Sequence, residues 1–257
     1  MALDRWTLPP PNLRSMLIPD PGYVLVEGDL SGADAQVVAW DSGAPRLKAQ
    51  LREGLDLHTS NARWIYGDSI NPRALHSNGM SYRDNAKRAV HAGNYAAGAK
   101  TLGTSIGVPT ARAEAFLRWW RTEEHPEIGR WHTKIETLLH SRRMPIITNA
   151  FGFRRLYTDM PDRLLGQALA WIAQSTVSLV IDHAMLAIDD SLPECQLLLQ
   201  VHDSLLYQVP SDQWPALAPH VLKHMEVTVP YEDPLVIPVE LKWSATDWGS
   251  MQKLTVH

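Results

Sequence analysis

The spacing of hydrophobic and polar positions changes several times along the chain, and each change predicts an element. Residues 23–29, YVLVEGD, are mostly apolar and β-branched, which predicts a strand packed on at least one face. Residues 33–42, ADAQVVAWDS, then space Val37, Val38 and Trp40 as a helix does. A strand that ends in Asp29 just before a helix begins is a natural mount for a functional carboxylate. Helical patterns dominate the middle. One runs over 81–98 and closes at glycines; Thr110 is placed to cap ARAEAFLRWWRTEEH; Pro126 opens the next helix. Over MPIITNAFGFRRLY the period shortens, predicting two short strands about an Asn-Ala-Phe-Gly turn. Residues 162–188 are almost continuously apolar, as expected for a long helix buried on several sides. QLLLQVHDSLLYQVP reads as strand, tight turn at 201–204, strand. The tail adds a helix over 211–227 and a strand in LVIPVELKW. Strands at both ends with helices between them predict an α+β fold: one antiparallel sheet, helices on one face, and a projecting helical subdomain.

Composition narrows the class. Hydrophobic residues make up 45% and charged residues 20% of 257, a globular balance. No run reaches the ~18 uncharged apolar residues of a membrane-spanning helix, so no membrane association is expected. The start, MALDRWTLPPPN, lacks the basic-then-apolar order of a secretory signal, and the expected location is the cytoplasm of a bacterium or an infected host cell. One cysteine, Cys195, excludes an internal disulfide and gives no support for a cysteine-based metal site. The net charge of −4 hides an asymmetry: residues 83–163 carry 14 basic and 8 acidic side chains, whereas the remainder sums to −10. A polyanion-binding segment beside a cation-binding centre has this distribution, and solvated helix faces explain it equally well.

Two constellations carry candidate chemistry. Asp29 ends an apolar strand and Asp203 sits at the tip of an apolar hairpin. If both strands share one sheet, the two carboxylates would bridge a pair of Mg²⁺ ions roughly 4 Å apart, as phosphoryl transfer requires. Each Asp taken alone is also an ordinary turn residue. Arg83, Lys87, His91 and Tyr95 recur every four residues, so each step turns the helix face by only ~40°. Arg83 as a fork and Lys87 as a point charge suit a triphosphate, with His91 and Tyr95 placed for a base or sugar. A basic, solvent-facing helix gives the same spacing.

Together the motifs resemble, in order and spacing, those of family A DNA polymerases, the DNA polymerase I type. GDLSGADAQ (28–36) is similar to the first carboxylate motif, DLHT (56–59) to an Asp-Ile-His-Thr segment, RDNAKRAVHAGNYA to the fingers helix, and QVHDS (200–204) to the second carboxylate motif. Arg5 with PNLR, FGFRR, Gln174-Ser175-Thr176 and VIPVELKWSATDW are weaker likenesses, so the resemblance covers nearly the whole chain. It implies a palm sheet and helical fingers, with palm at 1–55 and 144–257 and fingers at 56–143. It also implies template-directed addition of deoxynucleotides to a primer 3′-hydroxyl with two Mg²⁺ ions. On this resemblance Asp29, the Leu30 backbone carbonyl and Asp203 are the metal ligands. His58, Arg83, Lys87, His91, Tyr95 and Asp34 face the deoxynucleoside triphosphate, with Lys87 the proton donor to departing pyrophosphate. Arg5, Gln174 and His202 line the primer–template DNA.

The departures are equally specific. Ser204 stands where the family has glutamate, and Asp34 replaces the glutamate that blocks the sugar's 2′ position, which predicts looser exclusion of ribonucleotides. His91 replaces an aromatic residue, and Ala96 the glycine after the tyrosine. Gly166 and Ala170 replace arginine and asparagine contacts to DNA. Only 28 residues precede Asp29, so neither a thumb nor a proofreading exonuclease is expected. A fragment, a minimal enzyme, or one half of a split, phage-like polymerase working with an upstream thumb- or exonuclease-bearing chain all fit. The competing reading is a non-catalytic DNA- or nucleotide-binding subunit that assembles with a polymerase chain.

Overall fold

The computed structural model describes residues 12–141, 144–158 and 164–254. The chain divides into two compact units, one formed by Met1–Ser31, Ser178–Thr228 and Val236–His257, the other by Gly32–Val177 and Val229–Leu235. Elements are numbered along the chain.

The first unit is built on an antiparallel sheet. Its centre is β1 (Tyr23–Leu30), paired on one side with β5 (Ser204–Pro210), which pairs onward with β4 (Gln196–Val201). On the other side β1 pairs with β8 (Val239–Ser244), which is followed by β9 (Gln252–Lys253). A central strand needs cover on both faces, and β1 is buried from Val24 to Gly28. On one face α9 (Trp214–Met225) packs against β1 and β8. It comes so close to Gly28 that any Cβ there would collide with the Met225 sulfur. On the opposite face Leu25 and Leu206 meet Trp248, which sits in a 3₁₀ turn, Trp248–Ser250. The Trp248 indole donates to buried Glu27 at 3.0 Å, and Arg14 stacks over the indole at 4.3 Å, so a carboxylate inside the sheet is satisfied.

The second unit is mostly helical: α1 (Ala33–Asp41), α2 (Pro45–Arg52), α3 (Leu57–Tyr66), α4 (Tyr82–Asn94), α5 (Ala99–Ile106), α6 (Thr110–Trp119) and α7 (Pro126–His140). Its core gathers Phe116, Trp120, Ile128 and Leu139. A hairpin of β2 (Ile146–Thr148) and β3 (Arg154–Leu156) follows, its turn tied by the Asn149 side chain, which accepts from the amides of Phe151 and Phe153. Then α8 (Leu165–Ser191) leads from the second unit into the first. The short strands β6 (Thr228–Val229) and β7 (Leu235–Val236) form a separate ribbon.

Several boundaries differ from the sequence expectation, each for a local reason. The helix expected over 81–98 stops at Asn94. Its cap puts Ala96 at φ +55 and ties the Ala97 amide to the Ala92 carbonyl at 3.0 Å, and α5 restarts at Ala99. Pro109, not Thr110, is the cap of α6. The strand expected across LVIPVELKW is split at Pro238, which has no amide to give a ladder. Contrary to the hydropathy reading, α8 is long and apolar enough to cross a bilayer by length and composition alone. Here, however, Leu169, Ile172, Val180, Ile181 and Ile188 are buried inside the protein.

Candidate active site

Strand register brings the two aspartates together. Asp29 lies opposite Ser204 across β1 and β5, Val201 lies opposite Ser204 across the hairpin, and the two-residue turn between them is His202-Asp203. The Leu30 amide donates to the Asp203 carbonyl at 3.0 Å, fastening the turn to the end of β1. His202 adopts φ +56 and Asp203 does not, the pattern of a type II′ hairpin, whose first turn residue is usually glycine. A left-handed residue with a side chain costs ~1–2 kcal/mol, and such strain gathers at functional sites. The His202 imidazole is exposed beside the half-exposed Asp203.

The surroundings of Asp29 are acidic, with one cation among them. Glu240 on β8 lies opposite Asp29, and the Lys242 ammonium stands 3.6 Å from Asp29 Oδ2. Burial pushes the Asp29 carboxyl above its ordinary range. Lys242 draws it back, while the charges of Asp203, Glu27 and Glu240 raise it again. Sequence reading passed over Glu240 and Lys242, because only the β1–β8 register makes them neighbours of Asp29. Ser204 turns inward, its hydroxyl donating to the Val201 carbonyl at 3.0 Å, so this position adds no charge.

Among the described residues no group of three or more His, Cys, Asp or Glu is spaced to hold a metal ion. The donors present nonetheless fit Mg²⁺, which binds hard oxygens through one or two carboxylates and fills the rest of its shell with water and substrate phosphates. Asp29, Asp203 and the Leu30 carbonyl are such donors, and the surplus negative charge around Asp29 calls for a cation.

The predicted nucleotide residues form two clusters in the helical unit. Asp56 caps α3, its carboxylate accepting from the Thr59 amide at 3.3 Å, and Arg83 Nε donates to both Asp56 oxygens at 2.9 and 3.1 Å. Burial pushes the Asp56 carboxyl up, but Arg83 and Thr59 outweigh it and hold the group well below the usual range. His58, in the first turn of α3, is driven toward its neutral form by burial and by the charges of Arg83 and Lys87, and its Nδ1 is buried without a partner. Lys87 is exposed. In the second cluster Asp34 Oδ2 lies 3.6 Å from His91 Nε2, and the His91 and Tyr95 rings meet edge-on at 4.5 Å.

Tyr95 departs from the expected stripe. It is the cap of α4 and only 7% exposed, so its ring offers no open stacking face. Burial, then the Asp34 charge, pushes its hydroxyl far above the ordinary phenol range. Gly166 lies against the Tyr95 carbonyl, and a Cβ there would come within 3.0 Å of it. Gln174 is exposed on α8, and Arg5 lies outside the described residues.

The family model for DNA polymerase family A matches residues 9–250. The thermostable DNA polymerase I of Thermus filiformis is 28% identical over 245 residues, 92% of this chain and 28% of that protein. The corresponding enzyme of Thermus thermophilus is 29% identical over 251 residues, 94% of this chain and 29% of its own length. The chain therefore spans under a third of the length of these relatives. The fold is shared with the POL domain of Pol1 from M. smegmatis, solved in complex with DNA primer-template and dNTP. The TM-score is 0.75 at 20% identity, covering 91% of this chain and 42% of that one.

Proposed function

The chain belongs to DNA polymerase family A, and from that membership we propose that it is a template-directed DNA polymerase module, adding deoxynucleotides to a primer 3′-hydroxyl. The observation that carries this reading is the convergence of Asp29 and Asp203, joined through the Leu30–Asp203 backbone bond. The primer oxygen attacks the α-phosphorus, the bond to pyrophosphate breaks, and the hydroxyl proton passes to water. Two Mg²⁺ ions, when bound, would neutralise the charge developing on the attacking and leaving oxygens. Asp29, the Leu30 carbonyl and Asp203 would hold the metals. Arg83 and His58 bind the triphosphate, and Lys87 supplies a proton to departing pyrophosphate. Asp34 and His91 border the sugar, and Tyr95 supports the His91 ring edge-on. His202, Arg5 and Gln174 contact primer–template. The palm is residues 1–55 and 144–257 and the fingers 56–143. An upstream thumb- or exonuclease-bearing chain completes the grip on the duplex.

Primer extension with Mg²⁺ and the four deoxynucleoside triphosphates tests the reading, with and without such a partner. Extension that disappears in Asp203→Ala supports it; extension unchanged in Asp203→Ala refutes it. The inward-turned Ser204, which leaves two carboxylates in the motifs, favours the second reading, a non-catalytic subunit. That reading predicts DNA or nucleotide binding with no extension under any of these conditions.

A further inference from the structure

Apart from the polymerase motifs, the helical unit contains a cavity of about 310 Å³ where α2 and α3 meet the end of α6. It is roughly ten times the ~30 Å³ that one water takes up in the liquid, and it falls at the lower end of small-molecule sites. Trp64 and Trp119, stacked at 4.9 Å, give it an aromatic wall; Trp120 also lines it but is itself buried and offers no open face. Its polar lining is unusual. His125 is fully buried and neither ring nitrogen has a hydrogen-bond partner, and Gln50 Oε1 is likewise buried and unpaired. The Gln50 amide nitrogen is already engaged by Glu124 at 3.4 Å, and Glu124 is paired with Arg46 at 3.1 Å. Unpaired buried polar atoms each cost ~1–3 kcal/mol, so three on residues lining one cavity call for partners from outside the chain, which water or a polar ligand can supply. The backbone supports this: Trp120–Glu124 is a π-turn, closed by the His125 amide on the Trp120 carbonyl at 3.0 Å, and such turns recur at functional sites.

We propose that this cavity binds a single nucleobase, its face against the tryptophan wall and its hydrogen-bonding edge toward His125 and Gln50. Burial and the Arg46 charge keep the imidazole neutral, with its pKa down at about 4. It therefore offers one donor and one acceptor, and Gln50 Oε1 a second acceptor. A base edge, with N–H donors beside ring-nitrogen or carbonyl acceptors, complements all three; a phosphate brings no donor, and an apolar ligand pairs none of them. Choosing a nucleobase over another flat amide-bearing heterocycle rests on the polymerase reading. The base comes from single-stranded template or from a free nucleotide.

The test is titration of the full chain, without Mg²⁺, with a single-stranded oligodeoxynucleotide and separately with the four deoxynucleosides. Tryptophan fluorescence is followed in wild type, His125→Phe and Gln50→Leu, and the ¹⁵N shifts of the His125 ring in wild type and Gln50→Leu. Saturable quenching that moves the His125 shifts, and weakens at least tenfold in each variant while His125→Phe melts no lower than wild type, supports the site. Response to the oligonucleotide alone assigns the template; response to nucleosides as well assigns the free nucleotide. Equal affinity in the variants, or no movement of the His125 shifts with either probe, overturns it. Running Asp203→Ala in parallel separates the two ideas, because base binding should survive there whether or not extension does.

Discussion

Ala96→Gly should stabilise this protein, the reverse of what glycine does inside a helix. Ala96 follows the cap of α4 at φ +55, and the Ala97–Ala92 bond of 3.0 Å closes the turn around it. This is the glycine position of a Schellman cap, where an L-side chain crowds the following carbonyl. Relief of that crowding is worth ~1–2 kcal/mol. The extra freedom of glycine in the unfolded chain takes back ~0.4–1 kcal/mol. Loss of a half-buried methyl takes back about a further 0.4 kcal/mol, half the value of a buried CH₂. The net gain is about 0.5 kcal/mol. Ala97→Gly, one residue later and without positive φ, is the matched control and should lose about 0.5–1 kcal/mol. Urea unfolding of wild type and both variants, followed by helix signal, reads a separation of about 1 kcal/mol between the two substitutions. If both destabilise equally, Ala96 is not strained and the reasoning fails.

Asp29→Asn should raise the thermal midpoint while abolishing extension. Because burial raises the folded-state pKa of Asp29, its ionised form opposes folding. That penalty is absent at acid pH, where both states are protonated, and grows as pH climbs from the ordinary carboxylate value through the raised one. Melting curves should thus show the gain at about pH 7 and none at about pH 3; a gain at both would point to packing instead. Gly28→Ala should cost ~1–3 kcal/mol through collision with Met225, and Met225→Ala in the same chain should recover part of it, which a double-mutant cycle would measure. Asp34→Glu should sharpen rejection of CTP against dCTP by about tenfold, since one methylene in a fitted pocket discriminates by that order. Single-nucleotide incorporation kinetics give the ratio.

Much of the architecture could be read along the chain because it depends on local period. The apolar run before Asp29, the continuous apolar face of α8 and the hairpin around His202-Asp203 each appear where the pattern puts them. Cap geometry was harder. Nothing in the spacing of Arg83, Lys87, His91 and Tyr95 tells that α4 stops at Asn94, so the fourth member of the stripe turns inward while the other three stay at the surface. His125 was invisible for the same reason: its burial and its unpaired nitrogens arise from a π-turn packed on distant α2 and α3.

The sequence by itself determined which residue types are available: two carboxylates at strand ends, a basic helix, and a family likeness through both. Tertiary structure alone decided their company. The register of β1 against β8 puts Glu240 and Lys242 beside Asp29, and the hairpin fixes Asp203 to Leu30 through a backbone bond. Periodicity is a property of neighbours along the chain, whereas charge, desolvation and hydrogen bonding act across space, between residues as far apart in sequence as 29 and 242.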